Sequence, residues 1–212
     1  MQIFVSGIDT DAGKTYATAW LQLRLMDEGK SVITQKFIQT GCVGTSEDIE
    51  AHRRLSGTGP MPEDAEGLTA PIIFSYPASA QLAARMDGRE IDLGVIDRAR
   101  EELARRYDVV LVEGAGGLMV PITDTFMAID YAVSRNLPVA LVTNSRLGSI
   151  NHTILSLEAL RNHGAKLHSV LYNTWYDKDS APIAADTQAF IRRYIERNHP
   201  GTPFYVVPVY EP

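Results

Sequence analysis

Gly7-Ile8-Asp9-Thr10-Asp11-Ala12-Gly13-Lys14-Thr15 follows the apolar run Ile3-Phe4-Val5 and precedes a helical run from Tyr16 to Glu28. Strand, glycine-containing loop and helix, in that order, are what a phosphate-binding loop needs. The backbone N–H groups of such a loop point at one spot, and the helix dipole adds to the pull on an anion. Lys14 would reach the terminal phosphates and the Thr15 hydroxyl would bind Mg²⁺. The spacing departs by one residue from the common pattern, which would put glycine where Ile8 stands. Asp9, Thr10 and Asp11 crowd polar groups around the loop. Two carboxylates beside a phosphate repel it, so at least one is expected to face an amine or a metal.

Working outward, residues 2–6 read as a buried strand, 15–29 as a helix ended by Gly29, and 31–35 as a second strand. Lys36 then stands at a strand's carboxyl end, where open α/β sheets bind ligands. Residues 47–56 read as a helix with Asp48 in its first turn, a place where an acid commonly just complements the helix dipole. Residues 57–70, rich in Gly and Pro with an acidic run, read as a surface loop. Helices are predicted over 78–86 and 92–107.

The run Val109-Val110-Leu111-Val112 is wholly apolar, as in a parallel strand buried on both faces. It ends in Glu113-Gly114-Ala115-Gly116-Gly117. An acid there can help hold Mg²⁺, and the glycines let backbone approach a ligand closely. Strands are predicted at 137–142, 167–173 and 204–207, and helices from the 144–152 stretch to His163 and over 181–198. Ser149 or Asn151 is placed to cap the first of these. His163, His168 and His199 show no ligand spacing. Strands alternating with helices predict an α/β, doubly wound, mainly parallel sheet in a single domain over 1–212.

Composition narrows the function. The 212 residues are 45% hydrophobic, with no apolar run long enough to span a bilayer. The net charge of −6 argues against a nucleic-acid binder. One cysteine, Cys42, excludes an internal disulfide framework and disfavours a Cys-based metal site. With no secretion signal at the N-terminus, the expected location is the reducing cytoplasm.

Together, the first loop, Lys36, Glu113-Gly-Ala-Gly-Gly and Leu147-Gly148-Ser149-Ile150-Asn151-His152 make the chain resemble the dethiobiotin synthetase family over nearly its whole length. The family's loop, Gly-Thr-Asp-Thr-x-x-Gly-Lys-Thr/Ser, has the same extra residue. Pro121, Asp124 and Asp130 fit the segment that follows its second glycine motif. The resemblance implies an ATP-dependent ligase that uses Mg²⁺ and makes a cyclic urea from 7,8-diaminopelargonic acid and CO₂. Lys14 and Lys36 would surround the γ-phosphate. Thr15, Asp48 and Glu113 would hold the metal. Thr10, Asp11 and Thr40 would lie against the diamine and carbamate.

The nucleotide would lie along residues Asp9, Thr10, Asp11, Ala12, Gly13, Lys14, Thr15 and Tyr16, with Glu113, Gly114 and Gly116 beside it. Asn173 matches the family's adenine-binding Asn, and Pro208 and Val209 its second base-binding segment. Leu147, Ser149, Ile150 and Asn151 match the region that takes the substrate's carboxylate tail from a neighbouring subunit, which implies a homodimer. The chain departs from the family in lacking a proline after Lys36 and in carrying Ser79-Ala80-Gln81 where Ser-Pro-His is common. A glutaminase-coupled amide ligase would need a further domain and a nucleophilic Cys. A partitioning-type nucleotide switch would carry an extra lysine near Asp9. A third alternative is a drifted family member that binds ATP without turnover, against which the retained Lys14, Thr15, Lys36 and Glu113 argue.

Overall fold

The structure is a computed structural model and describes residues 1–209. In chain order the elements are β1 (Gln2–Gly7), α1 (Lys14–Asp27), β2 (Val32–Lys36), β3 (Gln39–Thr40), α2 (Glu47–Ser56), α3 (Pro62–Ala65), β4 (Ile73–Phe74), α4 (Ala80–Met86), α5 (Leu93–Arg106), β5 (Val109–Gly117), α6 (Ala128–Ser134), β6 (Val139–Asn144), α7 (Ser149–Asn162), β7 (Leu167–Asn173), a 3₁₀ turn (Thr174–Asp179), α8 (Ala181–Asn198) and β8 (Phe204–Val207). Six strands form one parallel sheet in the order β2-β5-β1-β6-β7-β8, and β3 pairs with β4 in a small second sheet. This is the doubly wound parallel sheet that the alternation of elements predicts.

Alternate side chains of the strands leave opposite faces, and the core divides accordingly. Ile3 and Val5 pack with Ala17, Leu21 and Leu25 of α1, while Phe4 packs on the other side with Val110, Val112 and Tyr131. Phe37 stacks edge-on against Phe4 with centroids 5.6 Å apart and lies 4.5 Å from Tyr131. The register decides what reaches the sheet's carboxyl edge. Lys36 is the partner of Glu113, Gly7 of Gly117, and Asn144 of Asn173. Ligand crevices of open α/β sheets form at this edge.

Three expectations need correction. Residues 57–70 are not simply a surface loop: Pro62 starts the short α3, and the Asp64 carboxylate accepts from the Met61 N–H at 2.9 Å. Asp64 also receives Nη2 and Nε of the buried Arg53 at 2.7 and 3.0 Å, so part of the acidic run anchors α2. Strand β5 runs on through its glycines to Gly117, because backbone without side chains can lie beside the end of β1. The helix α6 and the 3₁₀ turn were not foreseen. In α6, Asp130 accepts from the Met127 N–H at 2.8 Å, a local contact too short for periodicity to register.

Candidate active site

The first loop leaves β1 and closes on α1. Gly13 is its hinge, with φ of +84°, and a Cβ there would stand 1.9 Å from the Asn173 side-chain nitrogen. Only glycine meets both demands. The Lys14 ammonium lies along the loop and donates to the carbonyls of Asp9 and Thr10, each at 3.0 Å. Burial pulls the Lys14 pKa below its usual value, and the neighbouring Lys36 adds to this against the attraction of Glu113. Beside the loop lies a cavity of about 540 Å³. Thr10, Asp11, Gly13, Lys14, Thr15, Tyr16, Lys36, Thr40, Asp48, Glu113, Gly116 and Asn173 all line it. The sequence scatters these residues over more than 160 positions, and the sheet edge brings them together.

At its floor sits a charge cluster. Lys36, 5% exposed, donates to Glu113 Oε1 at 2.9 Å and to the Gly114 carbonyl at 3.3 Å, and it pairs with Asp48 Oδ2 at 2.5 Å. The Thr15 hydroxyl lies 2.9 Å from Asp48 Oδ1 and 3.1 Å from Glu113 Oε1. His52 Nε2 meets the other oxygen of Glu113 at 2.8 Å. Burial alone would raise the Glu113 pKa. The Lys36 charge and the His52 contact outweigh it and hold the carboxyl well below the usual range. Burial likewise opposes the charge on Lys36, and Glu113 and Asp48 reverse that, raising its pKa.

The oxygens of Thr15, Asp48 and Glu113 therefore converge. Among the described residues no group of three or more His, Cys, Asp or Glu could hold a metal. A hydroxyl with two carboxylates nevertheless suits Mg²⁺, which usually takes one or two carboxylates and completes its shell with water and phosphate oxygens. The donor set fits.

Asp48 does not serve merely as a dipole partner, since its carboxylate bridges Lys36 and Thr15. Asp9 turns away from the cavity: its carboxylate accepts from the Thr10 N–H at 2.8 Å and pairs with Arg146 at 2.6 Å. The Thr10 hydrogen bond, then Arg146, lower its pKa. This removes one of the two carboxylates whose repulsion the loop sequence raised. Ala12 is buried in the core, and its carbonyl receives the Asn173 amide at 3.5 Å. Pro208 lies at the surface, where its carbonyl accepts from the Tyr16 hydroxyl at 2.9 Å, and Val209 is exposed.

Leu147, Ser149, Ile150 and Asn151 do not line the main cavity. Leu147 is 88% exposed, whereas Ser149 is buried. Neither Ser149 nor Asn151 caps α7: Gly148, at φ of +96°, is the cap, and no side chain bonds there. Glycine reaches the left-handed conformation that turns the chain into the helix. The next residue, His152, lines a second cavity of about 360 Å³ with Asp9, Thr10 and Met119.

His52, Arg146, Trp175 and Tyr176 are among the residues of the site that escaped the sequence reading. His52 sits one turn after Asp48 on α2, a spacing that shares a helix face. Trp175 and Tyr176 line the main cavity because the Asn173 side chain accepts from the Trp175 N–H at 3.0 Å and folds the turn back. Arg146 had no local signal at all.

A family model described as an AAA domain matches residues 1–204. An ATP-dependent dethiobiotin synthetase BioD 2 from Pasteurella multocida is 47% identical over 204 residues, 96% of this chain and 95% of its own length. The protein of the same name from Haemophilus ducreyi is 49% identical over 205 residues, 97% of each chain. An ATP-dependent dethiobiotin synthetase BioD from Chlorobaculum tepidum is 45% identical over 91% of this chain and 80% of its own.

Among solved structures, the MinC:MinD cell division complex of Aquifex aeolicus aligns over 98% of this chain and 81% of that one, with a TM-score of 0.53 and 18% identity. A putative plasmid partition protein from Borrelia burgdorferi bound to AMPPNP aligns over 100% and 86%, with 0.55 and 10%. At such identities the likeness is one of fold. With close to half its residues shared along almost the full length of its relatives, the chain belongs to the dethiobiotin synthetase family.

Proposed function

We propose that the chain is an ATP-dependent dethiobiotin synthase of biotin biosynthesis. It closes the cyclic urea of dethiobiotin from 7,8-diaminopelargonic acid, CO₂ and ATP, releasing ADP and phosphate. The observation that carries this reading is the convergence of Lys14, Lys36, Thr15, Asp48 and Glu113 on one cavity, in a chain so similar to proteins named for that reaction.

One substrate amine captures CO₂ as a carbamate. A carbamate oxygen attacks the γ-phosphorus and displaces ADP. The second amine then attacks the carbonyl of the mixed anhydride, loses a proton and expels phosphate. The chain's work is positioning and charge neutralisation. Lys14 and Lys36 face the γ-phosphate oxygens, and Lys36 keeps its proton because two carboxylates hold it. Thr15, Asp48 and Glu113 would hold Mg²⁺, which would supply neutralisation of phosphate charge. Asp11, exposed at the rim, takes an ammonium group, and Thr10 and Thr40 hydrogen-bond to the carbamate and diamine. Asn173, Pro208 and Val209 bind the adenine.

The enzyme works as a homodimer in which the 147–151 segment of a second copy receives the substrate's carboxylate. The dipole and unpaired N–H groups of a helix start supply the attraction. It acts in the cytoplasm, and a chain whose single cysteine is Cys42 needs no oxidising compartment. Among the described residues no helix is long and apolar enough to cross a membrane.

The test is phosphate release from MgATP with bicarbonate, with and without the diamine. Release that needs both, with a cyclic urea formed in equal amount, is the expected result. Nucleotide binding without diamine-dependent release would reject the reaction while leaving the nucleotide site intact.

A further inference from the structure

We propose that His52 is a positioning residue that fixes the rotamer of Glu113 and so presents Glu113 Oε1 to the metal. The inference rests on the reading of Glu113 as a Mg²⁺ ligand. His52 is fully buried, and its Nε2 lies 2.8 Å from Glu113 Oε2. A carboxylate only accepts, so Nε2 carries the proton and donates. Its Nδ1 is buried with no hydrogen-bond partner among the described residues. A ring kept only for packing gains nothing from that unpaired nitrogen, since an apolar side chain would fill the space without it.

The cost makes sense if the other nitrogen is needed. With Oε2 held by His52, the remaining oxygen, Oε1, is the one that faces Lys36 and Thr15. Helix α2 thus supplies two groups one turn apart: Asp48 as a direct donor, and His52 as the support for the donor across from it.

Two measurements test this. The first is ADP affinity by calorimetry, with and without Mg²⁺, in the wild type, His52→Asn and His52→Gln. The Gln amide reaches the level of the imidazole Nε2, whereas the Asn amide stops at the level of Nδ1. In His52→Asn the Mg²⁺-dependent gain in ADP affinity should fall about tenfold or more, with Mg²⁺-free affinity nearly unchanged. His52→Gln should restore most of the gain. Full retention in His52→Asn, equal loss in both variants, or an equal loss without Mg²⁺ would overturn the proposal.

The second measurement needs no variant. Long-range ¹H–¹⁵N spectra of the wild-type imidazoles should show His52 protonated on Nε2 and bare on Nδ1; the opposite tautomer would overturn the assignment. A wild type whose ADP affinity ignores Mg²⁺ would reject the metal reading itself, and the inference with it.

Discussion

Two regions flank the first loop, and the fold treats them in opposite ways. On one side Lys36, Glu113, Asp48 and His52 are locked together from two strands and a helix, with Glu113 and His52 wholly buried. On the other side residues 146–152 lie largely open. They are tied to the loop by the Arg146–Asp9 pair, whose side chains are 40% and 42% exposed. The first region is complete within one chain and its charges are preorganised. The second presents an exposed leucine and a helix start with no side-chain cap. The difference separates a dry, fixed frame of charges from an accessible surface, which the proposed function assigns to the substrate's tail.

The sharpest way to break that contrast is to remove a buried charge. Lys36→Ala and Lys14→Ala should each lower kcat on the order of 10²–10³. Lys36→Ala should also lower stability by about 3–5 kcal/mol, because Glu113 and Asp48 are left facing each other without their cation. Near-wild-type turnover in Lys36→Ala would sink its assignment.

A smaller effect should come from the support behind α2. Asp64→Asn removes the charged partner of the buried Arg53 and should cost about 1–3 kcal/mol in urea unfolding. Burial would raise the Asp64 pKa, but the hydrogen bonds from Arg53, Met61 and Thr69 bring it below its usual value. Its contribution is therefore complete above the ordinary carboxylate range and lost as pH falls through the lower, folded value. Asp64→Asn should flatten the acid side of the stability curve, and an unchanged acid side would rule out that role.

In the open region, Asn151→Ala should raise the KM for the diamine about tenfold and leave that for ATP nearly unchanged. Equal changes in both would place Asn151 outside the tail site. The weakest effect belongs to the bridge between the regions. Asp9→Asn should change stability by less than about 1 kcal/mol, because the pair is exposed. A larger loss in thermal unfolding would mean that the two regions are mechanically coupled.

The main alternation of strands and helices, and most residues that line the main cavity, could be read before any coordinates. Lys14, Thr15, Lys36 and Glu113 each follow or end a recognisable strand, so the sheet edge was bound to collect them. Local chemistry that periodicity does not record was harder. The Asp64 and Asp130 contacts, which start α3 and α6, and the Asn173 contact, which folds the 3₁₀ turn, are single side-chain bonds to nearby backbone. A capping role for Ser149 or Asn151 was wrong because the left-handed Gly148 already makes the turn.

By itself the sequence determined the parallel α/β plan, the phosphate loop with its extra residue, and the lysine and acid at the ends of two strands. All of these rest on local periodicity and on residue types with few other uses. Only the tertiary structure decided that Asp9 pairs with Arg146, that Asp48 joins Lys36 and Thr15, and that His52 stands behind Glu113. These contacts join residues from 12 to 137 positions apart. Strand register and helix packing bring them together, and no local pattern encodes either.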